Sequence, residues 1–284
     1  MDQALIAGRD REGCGPGVFA AFSGGRNRYD SGSHIDVDGV NILGGAAWGC
    51  DLEPGHITLA AFAEAGHGNY DTHNSFDNAP SVHGKGDVDY YGGGILGRMD
   101  FTNGFHVEAS ARMGRVESDF RTDDLTAGAG NQTRYDSDSD YYGLHAGLGY
   151  TWRFNDAAGL DLYTRYIWTR QGSDNVTVHD EPVHFDAADS HRWRSGVRFS
   201  YALTERVTPY IGAAYDHEFD GKVGGHTRGV PVDAPDLEGG TGMLELGLTA
   251  GFLKGAPLTV EFGARGYTGI REGVGGMLTI SYEF

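Results

Sequence analysis

The sequence has no long hydrophobic run. No stretch of about 18 apolar residues occurs among its 284 residues, which excludes a transmembrane helix. Basic residues are also scarce, since 22 Lys and Arg stand against 40 Asp and Glu, for a formal net charge of −18. Affinity for nucleic acid depends largely on Lys and Arg that neutralise phosphates, so nucleic acid is excluded as a partner.

Proline and cysteine are few, with 8 and 2 residues, whereas 47 glycines, 15 tyrosines and 14 phenylalanines are present. The glycines follow no G-x-y period, which excludes a collagen-like chain. Each glycine inside a helix costs about 1 kcal/mol relative to alanine. This composition therefore favours a β protein over a helical one.

The beginning of the chain, MDQALIAGRDREG, lacks the apolar core of a signal sequence. We expect either a cytoplasmic protein or a piece of a longer one whose targeting region lies upstream. The number of cysteines alone leaves both redox compartments open.

Hydrophobic and polar residues alternate along nearly the whole chain. In YYGLHAGLGYTWRF, the even-numbered residues from Tyr142 to Phe154 form an apolar face and the odd-numbered residues form the other face. Most such runs reach the roughly 9 to 11 residues that a tilted strand needs to cross a bilayer. Twelve runs are present, near 16–28, 36–50, 56–68, 87–101, 104–117, 140–154, 159–171, 190–203, 206–218, 241–253, 257–268 and 274–284.

The connections between these runs alternate in length. Those after the second, fourth, sixth, eighth and tenth runs are short, such as DLEPG and LTE, whereas those after the third, fifth, seventh and ninth are long and acidic. A soluble β-sandwich or propeller would explain the alternation but not this asymmetry, nor strands well above the usual length of about 5 or 6 residues. The sequence predicts an all-β fold, a 12-stranded antiparallel up-and-down transmembrane β-barrel over residues 14–284. Both barrel termini would be periplasmic and the long loops extracellular.

In such a barrel the apolar face meets lipid and the charged face lines the lumen. A packed soluble core could not bury so many charges. The expected lumen-lining residues are Glu64, Arg98, Glu108, Arg112, Asp161, Arg165, Arg192, Arg194, Arg198, Glu245, Glu261 and Arg265. Aromatic residues near strand ends suit interfacial girdles, namely Trp48, Phe101, Trp152, Phe154, Trp168, Trp193, Tyr282 and Phe284.

The two cysteines fall opposite each other if the first hairpin turns about Gly32. Residue i then faces residue 64 − i, so Cys14 faces Cys50. Directly opposed Cα atoms lie about 4.5 to 5.5 Å apart, within disulfide range, and the periplasm is oxidising. We expect a Cys14–Cys50 disulfide at the periplasmic end, the alternative being two unpaired small hydrophobic residues.

Four segments of the chain resemble the C-terminal β-domain of autotransporters, the type V secretion proteins. They are LDLYTRYIWTRQGS (160–173), FDAADSHRWRSGVRFSYAL (185–203), VTPYIGAAYDHEFDG (207–221) and the closing LTISYEF. The resemblance extends over roughly residues 15–284, almost the whole chain.

This resemblance implies a monomeric outer-membrane barrel of a Gram-negative cell that anchors and exports an N-terminal passenger, with a linker helix in its pore and with help from the barrel assembly machinery. Residues 1–13 would be a remnant of the linker helix, too short for the roughly 20 residues that span 30 Å. The recognition signal for assembly would be the closing strand, with Leu278, Ile280, Tyr282 and Phe284. Some family members cleave their linker at an Asn–Asn bond, which this sequence does not contain.

Other chemistry has weaker support. For an outer-membrane lipid-acting enzyme, the candidates Ser110, Ser200, His106 and His145 have lumen parity and no triad spacing. Asp136, Asp138 and Asp140 suggest calcium but lack the rest of an EF-hand loop, so a solvated acidic loop is favoured. Six scattered histidines, residues 34, 56, 67, 73, 83 and 106, show no zinc spacing. We expect no enzyme activity and no cofactor.

A stand-alone diffusion channel remains the main alternative. Arg192, Arg194 and Arg198 lie on one strand and could select anions. In a secretion barrel we expect the same arginines to contact the linker helix or the long acidic loops.

Overall fold

The computed structural model describes residues 13–76, 79–126, 132–232, 236–251 and 258–284. Within these ranges no helix is long and apolar enough to cross a membrane. The strands are β1 (Cys14–Asp30), β2 (His34–Leu52), β3 (Gly55–Phe76), β4 (Ala79–Phe101), β5 (Phe105–Thr126), β6 (Gln132–Arg153), β7 (Ala158–Gln171), β8 (Asp174–Val178), β9 (Glu181–Phe185), β10 (Ala188–Tyr201), β11 (Val207–Glu218), β12 (Gly225–Thr227), β13 (Val230–Val232), β14 (Gly239–Gly251), β15 (Leu258–Gly269) and β16 (Arg271–Glu283).

Twelve of these strands form one closed antiparallel barrel, in the order β1-β16-β15-β14-β11-β10-β7-β6-β5-β4-β3-β2. The first and last strands close it, with paired residues running from Gly17↔Glu283 to Tyr29↔Arg271. The predicted 12-stranded barrel is confirmed. The end of the barrel that carries the connections 53–54, 102–104 and 154–157 is called the turn end here, and the opposite end is called the loop end.

The first six strands are longer than predicted, at 17 to 23 residues each. The prediction of long loops after the third and fifth strands is wrong, because β3 and β4 stay paired to Phe76↔Ala79 and β5 and β6 to Thr126↔Gln132. The extensions were not recognised because polar residues occupy both of their faces, which removes the hydrophobic alternation. They form a tall wall at the loop end.

The two remaining long connections carry their own structure. The segment between β7 and β10 holds β8 and β9, and the segment between β11 and β14 holds β12 and β13. These four short strands form a second sheet in the order β13-β12-β9-β8. This loop sheet packs on the tall wall, where the ring centroids of Phe185 and Tyr135 are 5.6 Å apart. Burial raises the pKa of Tyr135, outside the membrane band, to about 12.

The outward face carries an apolar band of membrane height. On β6 the outward side chains from Tyr142 to Trp152 are aromatic or aliphatic, and both end residues are exposed. Ten residues at a rise of about 3.4 Å and a tilt of about 40° cover about 25 Å, the height of a lipid-facing band. Outward residues nearer the loop end are acidic, as at Asp138. The lipid-facing band therefore ends near Tyr142.

The aromatic residues predicted as girdles lie on this outward face. Six are exposed and Phe101 and Trp168 are half-buried; the exposed ones are Trp48, Trp152, Phe154, Trp193, Tyr282 and Phe284. Two of the indole N–H groups are hydrogen-bonded, since Trp193 Nε1 donates to Thr164 Oγ1 (2.6 Å) and Trp168 Nε1 donates to Asp189 Oδ1 (3.0 Å). Amphipathic rings of this kind suit a membrane interface.

The barrel interior contains an apolar cluster that the sequence pattern does not predict. Its members are inward-facing residues of β1 to β4, and all are buried: Phe19, Leu43, Ala47, Ala60, Phe62 and Leu96. The charged residues on the inward faces predict only the polar part of the lumen. The interior is therefore apolar on one wall and charged on the others.

The first hairpin has the expected register. Residues i and 64 − i are paired from Cys14↔Cys50 to Asp30↔His34, and Cys14 and Cys50 are joined by a disulfide with Cα atoms 4.0 Å apart. Beside it, the backbone N–H of Gly13 donates to Asp51 Oδ2 (2.6 Å). Hydrogen bonds from His56, and then from Gly13, lower the pKa of the Asp51 carboxyl beyond the turn-end girdle. These contacts hold the start of β1 to the end of β2.

We predict that replacing both cysteines, Cys14→Ser with Cys50→Ser, lowers the free energy of unfolding by about 3 to 4 kcal/mol without opening the barrel. The bridge closes a sequence separation of 36 residues, and constraint of the unfolded chain on that scale gives this magnitude. Urea unfolding in detergent with and without reductant measures it. The double variant is the control because it should not respond to reductant. Equal midpoints for the oxidised and reduced parent chain would contradict the prediction.

We predict that Leu148→Arg destabilises the barrel in lipid by about 2 to 4 kcal/mol, because an arginine near the bilayer midplane is poorly solvated. Leu148 is outward-facing and 56% exposed. The matched control is Asp136→Arg on the same face of β6 but beyond the band, where we expect little change. Equilibrium unfolding from phospholipid vesicles compares the two, and equal effects would place the band elsewhere.

Candidate functional site

The lumen is the candidate functional site. The structure turns all twelve charged residues predicted there toward the interior, where each is buried or half-buried. Two clusters and several separate pairs account for their contacts. Cross-strand register decides which of these side chains meet.

The first cluster surrounds Glu108 on β5, whose side chain is 1% exposed. Arg98 Nη1 lies 3.1 Å from Glu108 Oε2, and Arg165 Nε lies 2.6 Å from Glu108 Oε1. Arg98 also binds Asp100 at 2.7 Å. Two guanidiniums around one carboxylate compensate the cost of burying its charge. This Glu108 cluster joins β4, β5 and β7 on the inner surface of the barrel.

Ser110, His145 and Glu108 form a hydrogen-bonded chain that sequence spacing did not reveal. Ser110 Oγ lies 3.2 Å from His145 Nδ1, and His145 Nε2 lies 3.0 Å from Glu108 Oε1. The three meet because Ser110 and His145 are directly paired on β5 and β6. Arg98 and Arg165 bind the same Glu108 carboxylate. This hydrogen-bonded series of side chains is therefore part of the Glu108 cluster, which connects several strands. Ser200, the other serine candidate, lies half-buried on β10.

His106, another of the enzyme candidates, is fully buried beside Asp161. Its Nε2 lies 2.8 Å from Asp161 Oδ1, and the Thr151 hydroxyl donates to the same oxygen at 2.8 Å. Closer to the loop end, Tyr141 donates to Glu64 Oε1 (2.7 Å) and Arg112 Nη1 lies 3.5 Å from Glu64 Oε2. Both pairs place hydrogen-bonded charges on the β3 to β7 side of the lumen.

The second cluster surrounds Glu245 on β14, whose side chain is 2% exposed. Arg198 Nε and Nη2 lie 2.7 and 3.1 Å from the two oxygens of Glu245, and Arg265 Nε approaches from β15 at 3.3 Å. The Arg198 guanidinium also lies 4.5 Å from the centre of the Tyr210 ring. Bidentate pairing of this kind is among the strongest charge contacts in proteins.

Arg192 and Arg194 lie on β10 between Arg198 and the loop end. Arg194 Nε and Nη2 bind Asp216 at 2.6 and 2.7 Å, and Arg192 Nε lies 3.3 Å from Glu218 Oε2. The three arginines of β10 therefore pair with carboxylates of β11 and β14. Glu261, the remaining predicted residue, is buried on β15.

The lumen has one apolar side and one charged side, and is called two-sided here for that reason. The apolar cluster lies on β1 to β4, whereas the Glu108 and Glu245 clusters lie on β4 to β7 and on β10 to β15. Such an interior offers both apolar surface and paired charges to a segment inside it. Of residues 1–13, interpreted as a remnant of the linker helix, residues 1–12 lie outside the described residues.

Charges on the outward face beyond the band pair across strands. Arg26 and Arg28 bind Asp38 and Asp36, each at 2.7 Å. Hydrogen bonds from these guanidiniums lower the pKa of both carboxyls. The three aspartates considered for calcium also point outward here, and two of them, Asp138 and Asp140, pair with Arg115.

Within the described ranges, no group of three or more His, Cys, Asp or Glu side chains could hold a metal ion. The histidines do gather, however. His34, His73 and His83 are directly paired across β2, β3 and β4, with ring centroids 4.8 and 4.4 Å apart. His184 and His226, which sequence spacing did not single out, meet on the loop sheet.

The closing strand presents its apolar residues outward. Leu278, Ile280 and Tyr282 pair with Phe22, Ala20 and Val18 of β1. The backbone N–H of Phe284 donates to the carbonyl oxygen of Pro16 at 3.0 Å, and its ring packs at 5.1 Å from that of Tyr282. The last residue is thus held at the outer rim of the turn end.

Comparison with known proteins identifies this architecture. The family model "Autotransporter beta-domain" matches residues 18–263. The autotransporter adhesin/invasin TibA of Escherichia coli O78:H11 is 24% identical over 182 residues, which are 63% of this chain and 18% of TibA. The chain therefore spans less than a fifth of that relative.

Solved structures share the fold. The translocator domain of the autotransporter NalP from Neisseria meningitidis matches with a TM-score of 0.73 and 15% identity, over 98% of this chain and 91% of that one. The β-domain of the Bordetella autotransporter BrkA matches with a TM-score of 0.69 and 14% identity, over 95% and 99%. An outer membrane channel from Pseudomonas putida F1 also matches, with a TM-score of 0.55 and 11% identity, over 96% of each chain. The Pseudomonas putida toluene transporter TodX matches with a TM-score of 0.55 and 9% identity, over 99% of this chain and 92% of that one. With the family model covering most of its length, the chain belongs to the autotransporter β-domain family.

Proposed function

We propose that this chain is the outer-membrane translocator of an autotransporter and that its lumen accommodates the polypeptide that links the barrel to an N-terminal passenger. The observation that carries the proposal is a closed barrel whose interior has one apolar wall and two charged clusters. A water-filled pore needs no buried apolar wall, whereas a polypeptide with an apolar face and a polar face benefits from one.

The path of the chain supports a segment inside the lumen. β1 begins and β16 ends at the turn end, which the proposal places in the periplasm, with the tall wall and the loop sheet outside. A passenger that precedes β1 and lies at the cell surface must then be connected through the barrel. A helical linker needs about 20 residues to cover 30 Å.

The lumen charges supply polar contacts for such a linker. Neighbouring guanidiniums and carboxylates in each cluster can exchange one partner for a linker side chain without leaving a buried charge unpaired. The residues proposed to line the pore and contact the linker remain Glu64, Arg98, Glu108, Arg112, Asp161, Arg165, Arg192, Arg194, Arg198, Glu245, Glu261 and Arg265. No bond-breaking chemistry is part of this mechanism.

The closing strand is proposed to be the assembly signal. Leu278, Ile280 and Tyr282 share the outward face of β16 and Phe284 follows the strand directly, so the outer-membrane barrel assembly machinery can contact them before β16 pairs with β1. After insertion the same face meets lipid. We propose that the barrel works as a monomer, because closure leaves no edge on the barrel sheet for a partner.

We predict that the purified barrel forms an open pore in planar bilayers and that adding the native upstream linker closes it. A segment held against the two-sided interior displaces the water and ions that carry current. A version with the linker replaced by a Gly/Ser sequence of equal length is the control and should close the pore less. If all three forms conduct alike with a steady solute preference, the barrel is a diffusion channel and the proposal is wrong.

We predict that Phe284→Ala lowers the amount of folded barrel in outer membranes several-fold but does not change folding of the urea-denatured chain into detergent micelles. Such a result would mean that the substitution weakens recognition by the assembly machinery and does not lower the stability of the folded barrel. Glu283→Gln, an inward-facing change on the same strand, is the matched control and should assemble normally. Heat-modifiable mobility on gels measures the folded fraction. Equal assembly of the Phe284→Ala and parent chains would contradict an assembly signal at this residue.

A further inference from the structure

The barrel interior contains a cavity beside the seam at which β1 pairs with β16. Its volume is about 400 Å³, and strands β1, β2, β15 and β16 all contribute to its lining. The lining side chains that matter for its chemistry are those of Asn27, Tyr29, Asn41, Arg265, Tyr267 and Arg271. The cavity therefore brings two arginines together with amide and phenol groups.

Arg271 on β16 is held in this cavity by neutral groups. Its Nε donates to Asn27 Oδ1 (2.9 Å), and its guanidinium carbon lies 3.6 Å from the centre of the Tyr267 ring and 5.8 Å from that of Tyr29. Among the described residues, no Asp or Glu oxygen lies within 4.0 Å of its guanidinium nitrogens. These contacts fix the side chain but do not compensate its charge with a carboxylate.

The other arginines of the lumen differ from Arg271 in this respect. All seven arginines of the predicted lumen-lining set have a carboxylate oxygen 2.6 to 3.5 Å from a guanidinium nitrogen. Arg265, the second arginine of the cavity, is one of them, because it binds Glu245. Arg271 is half-buried, and burial of a charge is unfavourable unless the charge is paired. A carboxylate beside Arg271 would therefore stabilise it.

The amides near Arg271 also favour an anion, because their oxygens are already used. Asn27 Oδ1 accepts from Arg271, and Asn41 Oδ1 accepts from the Ser23 hydroxyl (2.6 Å). Each amide thus keeps its Nδ2 group as a donor. The two terminal nitrogens of a guanidinium can donate in parallel to both oxygens of one carboxylate. A cavity with these donors matches a carboxylate in charge and in geometry.

We propose that Arg271, together with the amide groups of Asn27 and Asn41, binds an Asp or Glu side chain of the linker inside the lumen. The inference rests on the proposed function, because it takes the linker as the source of the carboxylate. A tethered carboxylate has a high effective concentration at the cavity. A free anion is instead repelled by a chain whose formal net charge is −18. The contact attaches the linker to the seam that closes the barrel.

The test uses the barrel with its native upstream linker in planar bilayers. Arg271→Gln should raise the rate at which the closed pore opens by about 10- to 100-fold, as expected for the loss of a hydrogen-bonded charge pair. Arg28→Gln is the matched control, because Arg28 lies on the same seam but points outward and binds Asp36 (2.7 Å). It should leave the opening rate unchanged. Heat-modifiable mobility on gels checks that each variant is folded.

Replacing the linker carboxylates one at a time by amides identifies the partner of Arg271. One replacement should reproduce the effect of Arg271→Gln, and the two changes combined should have no further effect, because they remove the same contact. Arg271→Glu with a lysine in place of that linker carboxylate should restore closure. If the parent linker closes the pore but neither Arg271→Gln nor any linker replacement raises the opening rate, this inference is wrong and the proposed function stands.

Two further outcomes would overturn the inference in different ways. If the parent linker does not close the pore, the linker does not occupy the lumen and the proposed function fails as well. Succinate added to the linker-free barrel tests a free anion as the source of the carboxylate. If succinate lowers the conductance of the parent barrel but not of Arg271→Gln, while Arg271→Gln leaves closure by the linker unchanged, the cavity binds free carboxylates and not the linker.

Discussion

The requirement that every backbone hydrogen bond be made within the protein governs this structure. Lipid offers no partner for an open strand edge, so β16 must pair with β1 along thirteen consecutive residue pairs. Closure then gives each barrel strand one face toward lipid and one toward the lumen. The hydrophobic last residues follow from the same requirement, because Phe284 is held by Pro16 at the seam and not left to fray.

The lumen combines two ways of filling a barrel. Buried charges remain tolerable because Glu108 and Glu245 each face two guanidiniums, which offset the desolvation of the carboxylate. The wall formed by β1 to β4 instead removes apolar side chains such as Phe19 and Phe62 from water. A lumen with an apolar part and a charged part can hold a linker of mixed polarity, whereas a uniformly charged pore would favour water and ions.

Beyond the lipid band the outward faces of the same strands are polar and not apolar. Their outward faces carry ion pairs such as Arg28–Asp36, because water replaces lipid there. The alternation that identified strands inside the band disappears, and this is why the extensions of β3 to β6 looked like loops in the sequence. The loop sheet rests on this wall and brings together segments about 40 residues apart in sequence, such as His184 and His226.

The sequence by itself determined the number of barrel strands, the side-chain directions within the twelve alternating runs and the register of the first hairpin, because these follow from a local period of two and a tight turn. Only the tertiary structure decided which inward or exposed side chains meet. Arg198 reaches Glu245 across β11, and Ser110 reaches His145 and Glu108 through the pairing of β5 with β6. Such contacts depend on the summed register of several hairpins, and a shift of two residues in one of them would exchange every partner without changing any residue's face.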